Sequence, residues 1–225
     1  MPLFIGDHIM KYTYCIWDFN GTILDDVELG IYTINVLLEK NGIDKQVDRR
    51  SYREIFDFPV IDYYRVLGFD FDKTPYTELA EDWVELYLGN LDKATFFDDV
   101  IDTLEFFKKN RISQSILSAS EKKMLDSQTA ELNIRDYFEE IMGIDNIYAD
   151  SKLALARAFR ERHPEERALF IGDTTHDIET AKTLSADCFI VCAGHQCRER
   201  FEGSGAKVFD SLSELCEYLK REELI

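Results

Sequence analysis

Positive charge is what this chain has least of. Against 44 Asp and Glu stand 26 Lys and Arg, giving a formal charge of -18 over 225 residues. Most of the surface therefore repels a phosphodiester backbone or an anionic membrane, and neither nucleic acid nor a membrane is an expected partner. A small anionic ligand stays open wherever a few cations, or a metal ion, are concentrated. Long apolar runs are also missing. No stretch approaches the ~20 residues that span a bilayer, and the N-terminal MPLFIGDHIMKYTY lacks the basic start and sustained apolar region of an export signal. Cysteine is sparse and unpatterned: Cys15, Cys188, Cys192, Cys197 and Cys216 are an odd number without a CxxC pair, three of them in or beside apolar runs. That usage points to reduced core thiols rather than disulfides or a zinc site, hence to a soluble, cytoplasmic protein. Repeats and low-complexity linkers are absent as well.

What is present is a 45% apolar composition, enough for one sizeable core and a smaller unit. Short β-type runs alternate with helical patterns: YTYCIWDF at 12 to 19, ISQSIL at 112 to 117, ALFIG at 168 to 172 and CFIVCA at 188 to 193, with EIMGI at 140 to 144 as a further candidate. The alternation predicts an α/β fold, a Rossmann-like parallel sheet covered by helices on both faces. Ligands in such folds bind beyond the carboxyl ends of the strands.

More than ninety residues separate the first two runs, too many for one crossover helix. From 25 to 93 the pattern is helical. Val27, Ile31, Ile34 and Leu38 recur on one face before Asn41-Gly42, where a glycine cap is expected. Thr74-Pro75 reads as a capping residue with proline at the first helical position, followed by Leu79, Trp83 and Leu86 on one side. Pro59 and Gly68 set off two shorter helical pieces. Residues 25 to 93 are therefore read as an inserted all-helical cap, and 1 to 24 with 94 to 225 as the core. Asp98 is placed at the start of a helix facing Val100, Leu104 and Phe107 inward, and Ser211 with Glu214 has capping-box spacing.

Polar residues cluster where the strands should end: Asp18, Asn20, Gly21 and Thr22 in DFNGT; Ser118 and Ala119 in ILSAS; Lys152 in ADSKLALA; Asp173 and Asp177 in GDTTHD. Each alone reads more readily as a helix cap, a turn or a solvated lysine. Together and in this order they resemble the four motifs of the haloacid dehalogenase superfamily over nearly the whole chain, and the helical insert resembles the cap of its phosphoglycolate phosphatase-like branch. The resemblance implies a Mg2+-dependent phosphatase acting on a small phosphorylated metabolite. Asp18 would be nucleophile and metal ligand. The main-chain carbonyl of Asn20 and the Asp173 carboxylate would complete the protein's metal ligands, with Asp177 orienting metal-bound water. Lys152 would balance charge, while Ser118 and the Ala119 N–H would hold phosphoryl oxygens. Gly21 would allow close backbone approach and Thr22 would brace the loop.

The chemistry accounts for these residue types independently. A carboxylate attacking phosphorus in line splits one hydrolysis into two steps, and its repulsion from an anionic substrate calls for cations and a hard-oxygen metal site. Substrate choice falls to the helical insert, where Arg49, Arg50, Arg53 and Arg65 accompany Phe56, Phe58, Tyr63 and Tyr64. For any one of these, a solvated arginine or a core aromatic is the more ordinary reading. Arg53 is taken as the contact to a second anion, such as a carboxylate. Among the histidines, His195 reads as structural, His176 divides evenly between structure and the site mouth, and His8 and His163 read as surface residues.

Asn20 departs from the family pattern, which has a second aspartate there to protonate the leaving oxygen. An amide cannot do this, and losing such catalysis costs typically ~10²- to 10⁴-fold. Phosphomonoester hydrolysis with reduced or differently supplied proton transfer, carbon-phosphorus cleavage of the phosphonatase kind, and a catalytically impaired phosphate-binding or regulatory protein all remain open. Dehalogenation is disfavoured by the intact Asp173 to Asp177 motif. An engineered asparagine and deamidation at Asn20-Gly21 are the two mundane explanations.

Overall fold

The structure, a computed structural model, describes residues 11–149 and 151–225, so His8 lies outside it. In chain order the elements are β1 (Tyr14–Trp17), β2 (Leu24–Asp25), α1 (Val27–Lys40), α2 (Arg49–Ile55), α3 (Val60–Leu67), α4 (Tyr76–Leu88), β3 (Thr95–Phe96), α5 (Val100–Lys109), β4 (Ser113–Glu121), α6 (Lys122–Glu131), β5 (Glu140–Ile144), α7 (Leu153–Arg162), β6 (Ala168–Gly172), α8 (Thr175–Leu184), β7 (Asp187–Val191), β8 (Lys207–Phe209) and α9 (Leu212–Arg221).

Six strands form one parallel sheet in the order β5-β4-β1-β6-β7-β8. β1 is central, and all four of its residues are buried because alternate side chains enter two different cores. Cys15 and Trp17 face Leu104 and Phe107 of α5 and Leu215 of α9. Tyr14 and Ile16 face Phe159 of α7, Phe170 of β6 and Leu184 of α8. Chain order reverses at β1, with β4 on one side and β6 on the other, so the loops after these three strands diverge around a common crevice.

The helices α1 to α4 build their own apolar cluster, centred on Ile34, Leu37, Leu38, Tyr52, Tyr63, Leu67 and Leu79. α1 ends as its sequence implies. Gly42 has a φ of 67°, and the Ile43 N–H returns to the Leu38 carbonyl at 2.9 Å. α4 begins one residue later than expected: Pro75 stands at the N-cap, while the Thr74 hydroxyl donates to Asn41 Oδ1 at 2.9 Å instead of capping the helix. The chain leaves for the helices through β2 and returns through β3, and these pair antiparallel as a two-residue ribbon. No periodicity can reveal strands that short. β8 was missed for a similar reason, having three residues. β4 runs to Glu121, past the expected end at 117, with an irregular register between Leu117 and Glu121 that carries Ser118 to Ser120 along the crevice. The helix expected from Asp98 starts at Val100 with Asp99 as N-cap, and Ser211 caps α9 by accepting from the Glu214 N–H at 3.1 Å. All five cysteines are free thiols. Among the described residues, no helix is long and apolar enough to cross a membrane.

Phe107 is fully buried and meets Trp17 edge to face at 5.6 Å between ring centroids. Phe107→Ala should therefore lower the unfolding free energy by ~3–5 kcal/mol in urea titration. Ile101→Ala, on the same helix but 39% exposed, should change it by no more than about 0.5 kcal/mol.

Candidate active site

The crevice is built from four loops. After Trp17 the Asp18 N–H continues the ladder to the Ile171 carbonyl at 2.8 Å, so the nucleophile candidate is held by the sheet itself. The chain then turns tightly, the Phe19 carbonyl accepting from the N–H groups of Ile23 and Leu24 at 2.9 and 3.0 Å. Gly21 has a φ of 73°, and a Cβ there would lie 2.2 Å from Asp173 Oδ2. A Cβ on Gly194 would meet the same oxygen at 2.2 Å, so two glycines let the loops after β1 and β7 close on Asp173.

Lys152, at the N-cap of α7, places its ammonium between two carboxylates. It bonds Asp18 Oδ1 and lies 2.6 Å from Asp177 Oδ1. Lys152 is 2% exposed, Asp18 7%, and Asp173 and Asp177 not at all. The other Asp177 oxygen accepts from the Asp173 N–H at 3.0 Å and from the Thr174 N–H and hydroxyl at 2.8 Å each. Asp177 thereby braces the loop that presents Asp173. Thr22 donates to Asp173 Oδ1 at 3.2 Å, and the His195 N–H donates to Oδ2 at 2.6 Å.

One ammonium among three buried carboxylates leaves negative charge in excess. Burial pushes the Asp18 carboxyl well above its ordinary range against the pull of Lys152, with Asp177 and Asp173 adding to the rise. Asp173 is pushed by burial to about 7, though the His195 charge opposes this. Burial works to raise Asp177 too, but Lys152 outweighs it and holds that carboxyl low. Burial alone would lower the Lys152 ammonium, but Asp177 and Asp18 more than offset it and keep its pKa raised. Carboxyl oxygens of Asp18, Asp173 and Asp177 lie within 4.8 Å of one another. Three hard oxygen donors sharing an uncompensated charge fit a divalent cation such as Mg2+.

A cavity of about 130 Å3 opens above Asp18. Asp18, Asn20, Ser118, Ala119 and Lys152 line it, so the structure brings these expected residues together. Gly21, Thr22, Asp173 and Asp177 pack behind them through the contacts just described. Arg53 is the exception. Its guanidinium donates to the carbonyls of Cys192 at 2.6 Å and Gln196 at 2.9 Å, so it ties α2 to the loop after β7 and is not presented to a ligand. The anion contact expected at Arg53 is corrected on position: its Nη2 holds two main-chain carbonyls, its Nε is buried without a partner, and it is not among the residues that line the cavity. The other three arginines are also engaged, Arg49 with Glu28, Arg50 with Glu54 and Arg65 with Asp62. His176 Nε2 accepts from the Lys152 N–H at 3.4 Å and its ring stacks on Phe58, so it supports the lysine. His163 is partly buried, meeting Glu140 at 2.8 Å and stacking on Phe159, and is not a free surface group.

Sequence reasoning missed Asp26. An acid at a helix start reads as a cap, yet its side chain makes no capping bond. Its carboxylate is buried and accepts from Asn20 Nδ2 at 2.8 Å, the Gly21 N–H at 3.0 Å and the Tyr87 hydroxyl at 2.7 Å, with His195 Nε2 at 3.2 Å. Burial works against the His195 charge, but Asp26 prevails and holds its pKa at about 9. Burial would raise Asp26 itself, but His195 outweighs it and keeps that carboxyl below its ordinary value. The Asn20 amide is thus bound on both sides. Nδ2 serves Asp26 and, at 2.9 Å, Tyr87, while Oδ1 accepts from the Ser120 hydroxyl at 2.7 Å. Asn20 is an integral part of this network.

With the geometry in view, comparison with known proteins places the chain. Residues 15–191 match the family model of haloacid dehalogenase-like hydrolases, and the chain belongs to that family. It is 22% identical over 186 residues to a phosphoglycolate phosphatase from Synechococcus elongatus, covering 82% of this chain and 85% of that protein. Phosphoglycolate phosphatase 1 from Pseudomonas aeruginosa is 25% identical over 138 residues, 59% of this chain and 50% of that protein, so the match spans half the length of that relative. Among solved structures, a haloacid dehalogenase-like family hydrolase from Streptococcus pneumoniae superposes with a TM-score of 0.79 at 18% identity, covering 93% of this chain and 99% of that one. CbbY from Rhodobacter sphaeroides, in a mutant form with asparagine for an aspartate and bound to xylulose 1,5-bisphosphate, gives 0.71 at 19% identity, with 91% and 96% covered.

Asn20→Asp would set a second carboxyl against Asp26, and that proximity would hold its pKa above the ordinary value. A raised acid is neutral in both folded and unfolded chains at low pH, so it costs nothing there. Stability is lost as pH climbs through the unfolded value of about 3.9 towards the folded one. Urea midpoints in EDTA should therefore show a deficit against the parent that opens at about pH 4 and levels off by about pH 6, reaching roughly 1–3 kcal/mol. A deficit independent of pH would contradict the placement.

Proposed function

We propose that the chain is a Mg2+-dependent phosphomonoesterase of the phosphoglycolate phosphatase-like kind, acting on a small phosphorylated metabolite through an aspartyl phosphate at Asp18. The observation that carries this reading is the buried placement of Lys152 between Asp18 and Asp177 beside Asp173. A carboxylate at a strand end, held by the ladder and facing a cavity, is positioned for in-line attack on phosphorus.

Lys152 draws the phosphoryl group towards Asp18 and offsets charge as the bond forms. Ser118 and Ala119 line the cavity, and in this reading the Ser118 hydroxyl and the Ala119 N–H hold equatorial oxygens. The Asp18 carboxylate, the Asn20 carbonyl and Asp173 would hold Mg2+, with Asp177 bracing them. Bound there, the metal supplies charge neutralisation and orients the phosphoryl oxygens. Asn20 gives no proton and, locked by Asp26, Tyr87 and Ser120, keeps the loop in place. Residues 25 to 93 serve in this reading as the cap that closes over the ester and excludes water.

Two other readings find less support. Carbon-phosphorus cleavage through a Schiff base needs a lysine from the helical segment, but Lys45 donates to the Val66 carbonyl, and the described cavity lining has no lysine besides Lys152. A non-catalytic phosphate-binding protein would use the same residues, so turnover decides against or for it.

A panel of phosphate monoesters with Mg2+ should release inorganic phosphate, EDTA should abolish the release and Mg2+ restore it. Asp18→Asn should lower kcat by at least about 10⁴-fold, because the covalent route is lost. Tight ester binding by the parent chain without turnover of any ester would sink the enzymatic reading.

A further inference from the structure

The walls of the cavity above Asp18 are unequal in chemistry. On the phosphoryl side stand Asp18, Asn20, Ser118 and Lys152; on the other stand Phe56, Phe58, Tyr63, Tyr64, Tyr76 and Trp83. Among the described lining residues the cations are Lys152 and His195, both from the sheet-bearing part and both already facing carboxylates. The helical segment contributes no cation to the described lining: Arg49, Arg50 and Arg65 pair with Glu28, Glu54 and Asp62, and Arg53 turns its Nη2 to the carbonyls of Cys192 and Gln196. A second anion on the substrate, such as the carboxylate of glycolate, would be desolvated against aromatic side chains with no cation to pair with, which is unfavourable. The free volume of about 130 Å3 is comparable to a cavity that takes up one benzene ring, roughly 150 Å3.

Tyr63 adds a polar feature of the right kind. It is 3% exposed, and its hydroxyl has no hydrogen-bond partner in the structure. A buried, unanswered hydroxyl beside an apolar cavity suits a ligand with one polar substituent on an otherwise apolar body.

Asn20 points the same way by an independent route. Without an acid at this position, the departing oxygen leaves as an anion, and the rate depends on how well that anion is tolerated. A phenolic oxygen, with a pKa near 10 as in tyrosine, departs far more readily than an aliphatic alkoxide, whose acid is close to water at about 15.7.

We infer that the substrate is a phosphate monoester of a small, uncharged aromatic hydroxyl compound, its ring seated among Phe58, Tyr64 and Trp83 and its phosphoryl group on Asp18. The inference rests on the phosphomonoesterase reading. In the transfer step the Asp18 oxygen bonds to phosphorus, the bond from phosphorus to the aryl oxygen breaks, and the aryloxide departs with the electron pair. Water then attacks phosphorus, and the bond from phosphorus to the Asp18 oxygen breaks with its electron pair returning to the carboxylate. The water's proton goes to solvent, from which the departed aryloxide takes one, leaving inorganic phosphate and the hydroxyl compound.

The test measures kcat/KM with Mg2+ for phenyl phosphate and for phosphoglycolate, on the full chain and on three variants. Phenyl phosphate should exceed phosphoglycolate by about 10²-fold or more, the scale of the absent acid catalysis. Trp83→Ala and Phe58→Leu should each shrink that ratio, the second keeping an apolar side chain in case the first disturbs packing. Asn20→Asp should shrink it too, by raising the phosphoglycolate rate relative to that for phenyl phosphate, a change in the ratio that a purely structural role for residue 20 would not produce. Equal or better use of phosphoglycolate by the parent chain overturns the aromatic assignment but leaves the phosphatase reading standing. Absence of phosphate release from both esters, and from the wider panel, overturns both.

Discussion

Everything at the crevice depends on one buried ammonium. Lys152 sits between Asp18 and Asp177, and each of those carboxylates is fixed by a different part of the fold. Asp18 is held by the ladder from β1 to β6, and Asp177 by the turn that opens α8. Removing the ammonium would leave two buried carboxylates facing each other, a situation that typically costs 3–5 kcal/mol. The same ammonium does not neutralise Asp173, which burial pushes to about 7. The arrangement is short of positive charge, which a divalent cation held by these carboxylates would supply.

A second buried pair, Asp26 with His195, governs the other wall. It ties the start of α1 to the loop after β7 and, through Tyr52, reaches α2. Arg53 reinforces the same junction through the carbonyls of Cys192 and Gln196. The helical segment thus meets the sheet through polar contacts made by residues that sequence alone would assign to solvent or substrate. What it offers the cavity is mostly aromatic surface, while both lining cations come from the sheet loops.

The sheet was legible because its signals are local. Buried runs such as ALFIG and EIMGI coincide with β6 and β5 residue for residue. The family match over residues 15–191 agrees with the motif resemblance. β2, β3 and β8 were illegible, having two or three residues each, too few for any period. At the crevice, Asp18 and Ser118 stood out because each ends an apolar run, and Lys152 because it opens a helical pattern. Asp26 was not, since an acid before a helix has the same sequence signature whether it caps the helix or turns to a histidine 169 positions away, as here with His195. Arg53 was no more readable: a guanidinium's partner is set by tertiary placement, here the carbonyls of Cys192 and Gln196. Asn20 changed most in meaning, from a missing acid to an amide whose donors and acceptor are all matched.

The central claim is that Asp18 carries the phosphoryl group. Acid quenching of the full chain during turnover of a phosphate ester with Mg2+, followed by peptide mass mapping, tests it most directly. The account predicts one phosphoryl group on the peptide that contains Asp18, labile to hydroxylamine as an acyl phosphate should be. Continued release of phosphate with no phosphoryl group trapped on that peptide, or with the group on another residue, would contradict it.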